Sequence, residues 1–131
     1  MIVIDCSYAL ALVMPDEVRP ASMHAVMRDS LVAPMIWPLE IANAFRSSLR
    51  RKRLQERQIA ELCAGVMDFD VEVVGAAHAT PQRYFDAALA HDLTPYDALY
   101  LDLAVQRRCA LATCDALLSA AAARAGVQIH C

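Results

Sequence analysis

Short apolar runs alternate with longer stretches of helical periodicity along the whole chain. Met1 to Asp5 is a β-branched run ending in an acid, the pattern of a strand buried on both faces. Ser7 to Val13 carries helix-forming Ala and Leu until Pro15 and Asp16 interrupt it, and a second helix is predicted from about Glu17 to Arg28. Leu31 to Ala33 is the next strand, closed by Pro34. From about Pro38 the spacing of Ile41, Ala44, Phe45, Ser48 and Leu49 predicts a helix with one inward face. Another helix, about Gln55 to Met67, is expected to bury Ile59, Leu62, Cys63 and Val66.

Val71 to Val74 is a short strand, and Thr80 to His91 a helix with Tyr84, Ala87 and Ala88 inward. Thr94-Pro95-Tyr96-Asp97 is the clearest helix start, with Thr94 as cap, Pro95 at the first helical position and Asp97 at the third. That helix runs to about Arg107. Cys109 to Thr113 is a strand, an alanine-rich helix follows Asp115, Gly126 ends it with a left-handed cap, and Val127 to Ile129 is a last strand. Strands alternating with helices predict an α/β fold, a mainly parallel sheet covered on both faces, with a ligand site outside the strands' carboxyl ends.

At 131 residues the chain is expected to form a single domain, 1–131, and 58% hydrophobic with 21% charged residues excludes disorder. The apolar runs are too short to span a bilayer, and Met-Ile-Val-Ile-Asp lacks the basic start and long apolar stretch of an export signal. Five cysteines without a Cys-x-x-Cys pair read as reduced thiols, which fits the cytoplasm. The net charge of −3 argues against nucleic acid until its distribution is considered: six of the twelve basic residues fall between Arg46 and Arg57. Arg46 and Arg50, one turn apart on the Asn43 face, are the preferred phosphate contacts, with a solvated helix corner as the alternative.

The candidate chemistry lies in four acids. Asp5, Asp97 and Asp115 each follow a strand or open a helix, and Glu40 sits in a first helical turn. A cap or a solvated first-turn acid accounts for each alone. Together they occupy the positions that sheet topology brings to one end. Four crowded carboxylates repel unless divalent cations neutralise them, and Mg²⁺ takes such oxygens while keeping waters that can attack a phosphodiester. Asn43, Ser7 and Thr113 could supply supporting hydrogen bonds around them.

These residues resemble the PIN-domain family, and within it the VapC-type toxins of bacterial toxin–antitoxin pairs. The resemblance rests on Met-Ile-Val-Ile-Asp-Cys-Ser at the start, Trp37 to Ala44 around Glu40, Leu93 to Tyr100 around Asp97, and Leu111 to Asp115 with the Leu117-Leu118 and Ala125-Gly126-Val127 tail. It implies a three-layer α/β/α domain and Mg²⁺- or Mn²⁺-dependent endoribonuclease activity, with Asp5, Glu40, Asp97 and Asp115 as catalytic metal ligands. It also implies homodimerisation and inhibition by a cognate antitoxin whose tail enters the active-site groove. The alternative is a catalytically inactive PIN-like module that binds RNA or protein, consistent with the acidic net charge and the structural role available to every acid. Phosphatase chemistry through Asp5 ranks below both, because Ser7 stands where a paired Asp would be.

Asp102 lies more than a full turn beyond Asp97 and reads as a solvated or interface acid. His24, His78, His91 and His130 show no ligand spacing and read as surface or core residues. Trp37 and Tyr96 are read as groove or core packing, with base stacking as the alternative.

Overall fold

Ile2–Ile4 (β1), Leu31–Pro34 (β2) and Ala110–Ala112 (β4) are almost wholly apolar, and they form the centre of a five-stranded sheet. Glu72–Val74 (β3) and Ile129–His130 (β5) flank them in the order β3-β2-β1-β4-β5, and every pairing is parallel. The computed structural model describes residues 1–76 and 79–131, so the expectation for His78 lies outside the described residues. Val3, Ile4, Val32, Leu111 and Ala112 are fully buried. Each larger aliphatic among them contributes roughly 1.5–3 kcal/mol relative to exposure. The edge strand β3 leaves Glu72 and Val73 exposed, as a strand covered on fewer sides must.

Seven helices connect the strands among the described residues: Cys6–Val13 (α1), Met23–Val26 (α2), Trp37–Arg50 (α3), Ile59–Met67 (α4), Pro81–His91 (α5), Pro95–Arg107 (α6) and Ala116–Arg124 (α7). The strand order reverses direction between β1 and β4. Right-handed crossovers therefore place α1 to α4 on one face and α5 to α7 on the other. The contacts agree, since α1 packs on α3 and α4 while α6 packs on α5, α7 and the central strands. The result is three layers, α/β/α. None of these helices is long and apolar enough to cross a membrane.

Two sequence expectations are corrected. The helix expected over Glu17 to Arg28 is reduced to Met23–Val26. Pro20 interrupts it, and Arg19 donates through Nη1 to the carbonyls of Ala11 (2.8 Å) and Met14 (2.9 Å), closing the end of α1 instead. Cys63 is exposed although its helical spacing placed it inward; on α4 only Val66 is fully buried, with Ile59 and Leu62 partly so. Gly126 does end α7 in the left-handed region, at φ 73°.

Candidate functional site

The strand order reverses between β1 and β4, and the carboxyl ends of two strands at such a reversal, here called the crevice, are where open α/β sheets bind ligands. Asp5 leaves β1 and Asp115 follows β4, so both emerge there. Asp5 caps α1, is only 4% exposed, and is surrounded by donors. Its Oδ1 accepts the Tyr8 N–H (2.8 Å) and the Ser7 hydroxyl (2.8 Å), while Oδ2 accepts the Thr113 hydroxyl (2.6 Å). Burial pushes the Asp5 pKa up to about 6; the hydrogen bonds from Thr113, Tyr8 and Ser7 oppose that rise, and the charge of Asp115 adds to it.

Ser7 and Thr113, named from the sequence as supporting hydroxyls, also fasten the two strand ends together. The Cys114 N–H donates to Ser7 Oγ (2.9 Å), and the Asp115 N–H donates to Thr113 Oγ1 (3.0 Å). Asp115 in turn caps α7 by accepting the Leu118 N–H on Oδ1 (2.8 Å).

Asp97 opens α6, where its N–H donates to Thr94 Oγ1 (3.2 Å), the cap anticipated from Thr-Pro-Tyr-Asp. Its carboxyl is raised chiefly by burial, lowered by Thr94 and raised again by Asp115. Glu40, in the first turn of α3, accepts the Tyr100 hydroxyl on Oε2. Its pKa is raised by burial, lowered by that hydrogen bond and raised by Asp97. Asn43, the side chain expected beside Glu40, is exposed, and Tyr100 supplies the partner instead. Tyr100 lies one turn beyond Asp97 on α6, a helical spacing that could have revealed it. Cys6 was also missed. Burial, Glu40 and Asp5 together push its thiol up to about 12.

The four carboxylates thus converge closely enough to repel: Asp97 raises Glu40, and Asp115 raises both Asp97 and Asp5. None of them is ion-paired with a basic group among the described residues. Convergence does not make them a metal centre. Among the described residues no group of three or more His, Cys, Asp or Glu side chains is arranged to hold a metal ion. The expectation of a Mg²⁺ or Mn²⁺ site on Asp5, Glu40, Asp97 and Asp115 is therefore overturned, and with it the expected metal-dependent hydrolysis of RNA. The hydrogen bonds give the physical reason. Oxygens expected to face a cation are instead directed at Tyr8, Ser7, Thr113, Leu118 and Tyr100. This holds most fully at Asp5, whose two oxygens are both taken and which has few lone pairs left to coordinate with, so that Glu40, Asp97 and Asp115 lack the buried acid around which a metal would gather them.

The basic residues lie elsewhere. Arg46 and Arg50 are exposed on α3 and make no hydrogen bond or ion pair among the described residues, whereas Arg53 is taken up by Asp16 and Glu17. Trp37 is buried in the core, its indole N–H without an acceptor among the described residues, and Tyr96 is exposed. Asp102 stands 3.7 Å from Nε2 of His91 and takes no part in the acidic crevice.

The model of the family described as "PIN domain" matches residues 2–124. In three dimensions the chain is similar to the solved structure entitled "Crystal structure of PAE2754 from Pyrobaculum aerophilum". The two agree with a TM-score of 0.72 at 21% identity, over 98% of this chain and 82% of that one, a likeness of fold. No curated protein matches the chain. With three layers, a parallel sheet reversing at its acidic crevice, and a family match over nearly its whole length, the chain belongs to the PIN-domain family.

Proposed function

We propose that residues 1–131 form one PIN-like unit that works in the cytoplasm as a binding and regulatory module. It receives a basic segment of a small partner protein, of the kind the antitoxin of a VapC-type pair supplies. The acidic crevice carries this reading: Asp5, Glu40, Asp97 and Asp115 crowd together with no cationic partner among the described residues. An arginine complements such a crevice better than a bare divalent ion, because its planar fork bonds carboxylate oxygens at the surface without requiring several ligands to close around one point. Leu39, Tyr96 and Leu117 lie within two residues of Glu40, Asp97 and Asp115 and are 65%, 59% and 73% exposed, apolar area that suits a protein partner. Pairing with a second copy belongs to the same proposal, with Phe85 and Leu89 exposed one turn apart on α5.

A second reading rests on Arg46 and Arg50. Their unpaired guanidiniums would follow an RNA backbone along α3, away from the crevice, where phosphate would be repelled. Co-purification with the product of the neighbouring gene, followed by calorimetry, separates the two. The double variant Glu40→Gln, Asp97→Asn is expected to weaken the protein partner at least tenfold, and added salt to weaken it further. Undiminished binding by that variant overturns the first reading. RNA binding lost on Arg46→Gln with Arg50→Gln favours the second.

A further inference from the structure

A second cleft, about 260 Å³ in volume, lies between α5, α6 and the ends of β2 and β3. None of the four crevice acids lines it. Leu99 and Leu103, one turn apart on α6, form an apolar floor with Val74 of β3. Farther along the same face of α6 comes Arg107, and α5 contributes Arg83 and the half-buried Tyr84. Neither guanidinium makes a hydrogen bond or ion pair among the described residues. In a chain of net charge −3, two unengaged guanidiniums from different helices thus line one concave, apolar-floored space.

That combination has a definite chemical complement. Two guanidiniums suit a phosphate, whose several oxygens can take both forks. The apolar floor beside a tyrosine ring suits a flat ring system. Asp102, also on the wall, offers an acceptor to sugar hydroxyls. The volume, about 260 Å³, falls just below the roughly 300 Å³ at which small-ligand pockets begin, which restricts the occupant to one small unit.

We propose that this cleft binds a nucleoside monophosphate, the phosphate between Arg83 and Arg107 and the base over Leu99 and Leu103 beside Tyr84. The same unit could arrive as a free nucleotide or as the phosphorylated end of an RNA strand. The proposal is independent of the acidic crevice and of its partner.

Calorimetric titration tests it, using the four nucleoside 5′-monophosphates, the corresponding nucleosides, inorganic phosphate, and an RNA oligonucleotide with and without its 5′-phosphate. At least one monophosphate is expected to bind, more tightly than its nucleoside or phosphate alone. Arg83→Gln and Arg107→Gln are each expected to weaken it about tenfold or more, while Arg28→Gln, exposed and remote from the cleft, leaves it unchanged. Equal or tighter binding of the 5′-phosphorylated oligonucleotide, lost on dephosphorylation, identifies an RNA end as the source; oligonucleotide binding at least tenfold weaker identifies the free nucleotide. No binding of any monophosphate at millimolar concentration overturns the proposal, as does equal binding by the Arg83 and Arg107 variants. Both arginines are exposed, so these variants are expected to keep the fold.

Discussion

Replacing Asp5 by Asn isolates the cost of the most deeply buried acid in the crevice. The folded protein holds Asp5 at about 6 against an ordinary 3.8, so folding favours its protonated form. The sign follows: the penalty is fully present above pH 6 and is relieved as pH falls through 6 toward 3.8. At about 1.4 kcal/mol per pH unit, that interval corresponds to about 3 kcal/mol. Asparagine keeps an oxygen for the Tyr8 N–H, while its amide faces the Ser7 and Thr113 hydroxyls, which can rotate to accept. Asp5→Asn is therefore expected to gain on the parent protein by up to about 3 kcal/mol between pH 3 and pH 8, with the midpoint of the change near pH 5, halfway between 3.8 and about 6. Urea unfolding of both proteins across that range measures it. A stability difference that is flat with pH would refute the reasoning.

Tyr100→Phe removes the donor to Glu40 and is expected to cost about 1–2 kcal/mol, with the Glu40 pKa moving further up in a carboxyl-resolved NMR titration. Thr113→Val keeps the shape but strips a donor from Asp5 and an acceptor from the Asp115 N–H; about 2–3 kcal/mol is expected to be lost in denaturant unfolding. Gly126→Ala meets no neighbour within 4 Å, so its cost is conformational, about 1 kcal/mol from forcing a Cβ at φ 73°, and thermal unfolding should detect it. Millimolar Mg²⁺ and EDTA are expected to leave the thermal midpoint unchanged, since a ligand specific to the folded form would raise it; a clear rise with Mg²⁺ would contradict the carboxylate geometry.

The strands were legible because short apolar runs standing between helical stretches have few alternatives, and all five appear within a residue or two of their expected bounds. The helix at Glu17 was misread because its periodicity could not show that Arg19 turns back to the carbonyls of α1. Within the crevice, Ser7 and Thr113 were legible because each hydroxyl lies two residues from an acid at a strand-to-helix junction. The pairing of Tyr100 with Glu40 was not, since it joins residues 60 apart on two different helices and depends on the packing of both. The metal was the largest misreading. At the level of sequence, an acid that caps and an acid that coordinates occupy the same junctions. Only the direction of the lone pairs distinguishes them, and that is set by which donors the fold delivers.

The charge of the crevice follows from the same constraint. A parallel sheet that reverses direction needs a helix to begin near each central strand end, and Asp5 and Asp115 satisfy the open N–H groups of α1 and α7 there. Thr94 satisfies α6, which leaves the Asp97 side chain free of capping duty yet in the same field. Capping stabilises each helix separately, but burial, with the neighbouring charges adding to it, holds Asp5, Asp97 and Glu40 above their ordinary pKa values. The fold tolerates this because burial and repulsion are opposed at each site by hydroxyl or backbone donors, which no single substitution replaces together. A guanidinium of the proposed partner would lower all three pKa values at once, and its binding would draw on the electrostatic cost already present in the free protein. By this argument the acids are structural first, and the proposed binding of a basic partner would draw on the unbalanced charge that the structure leaves at the surface.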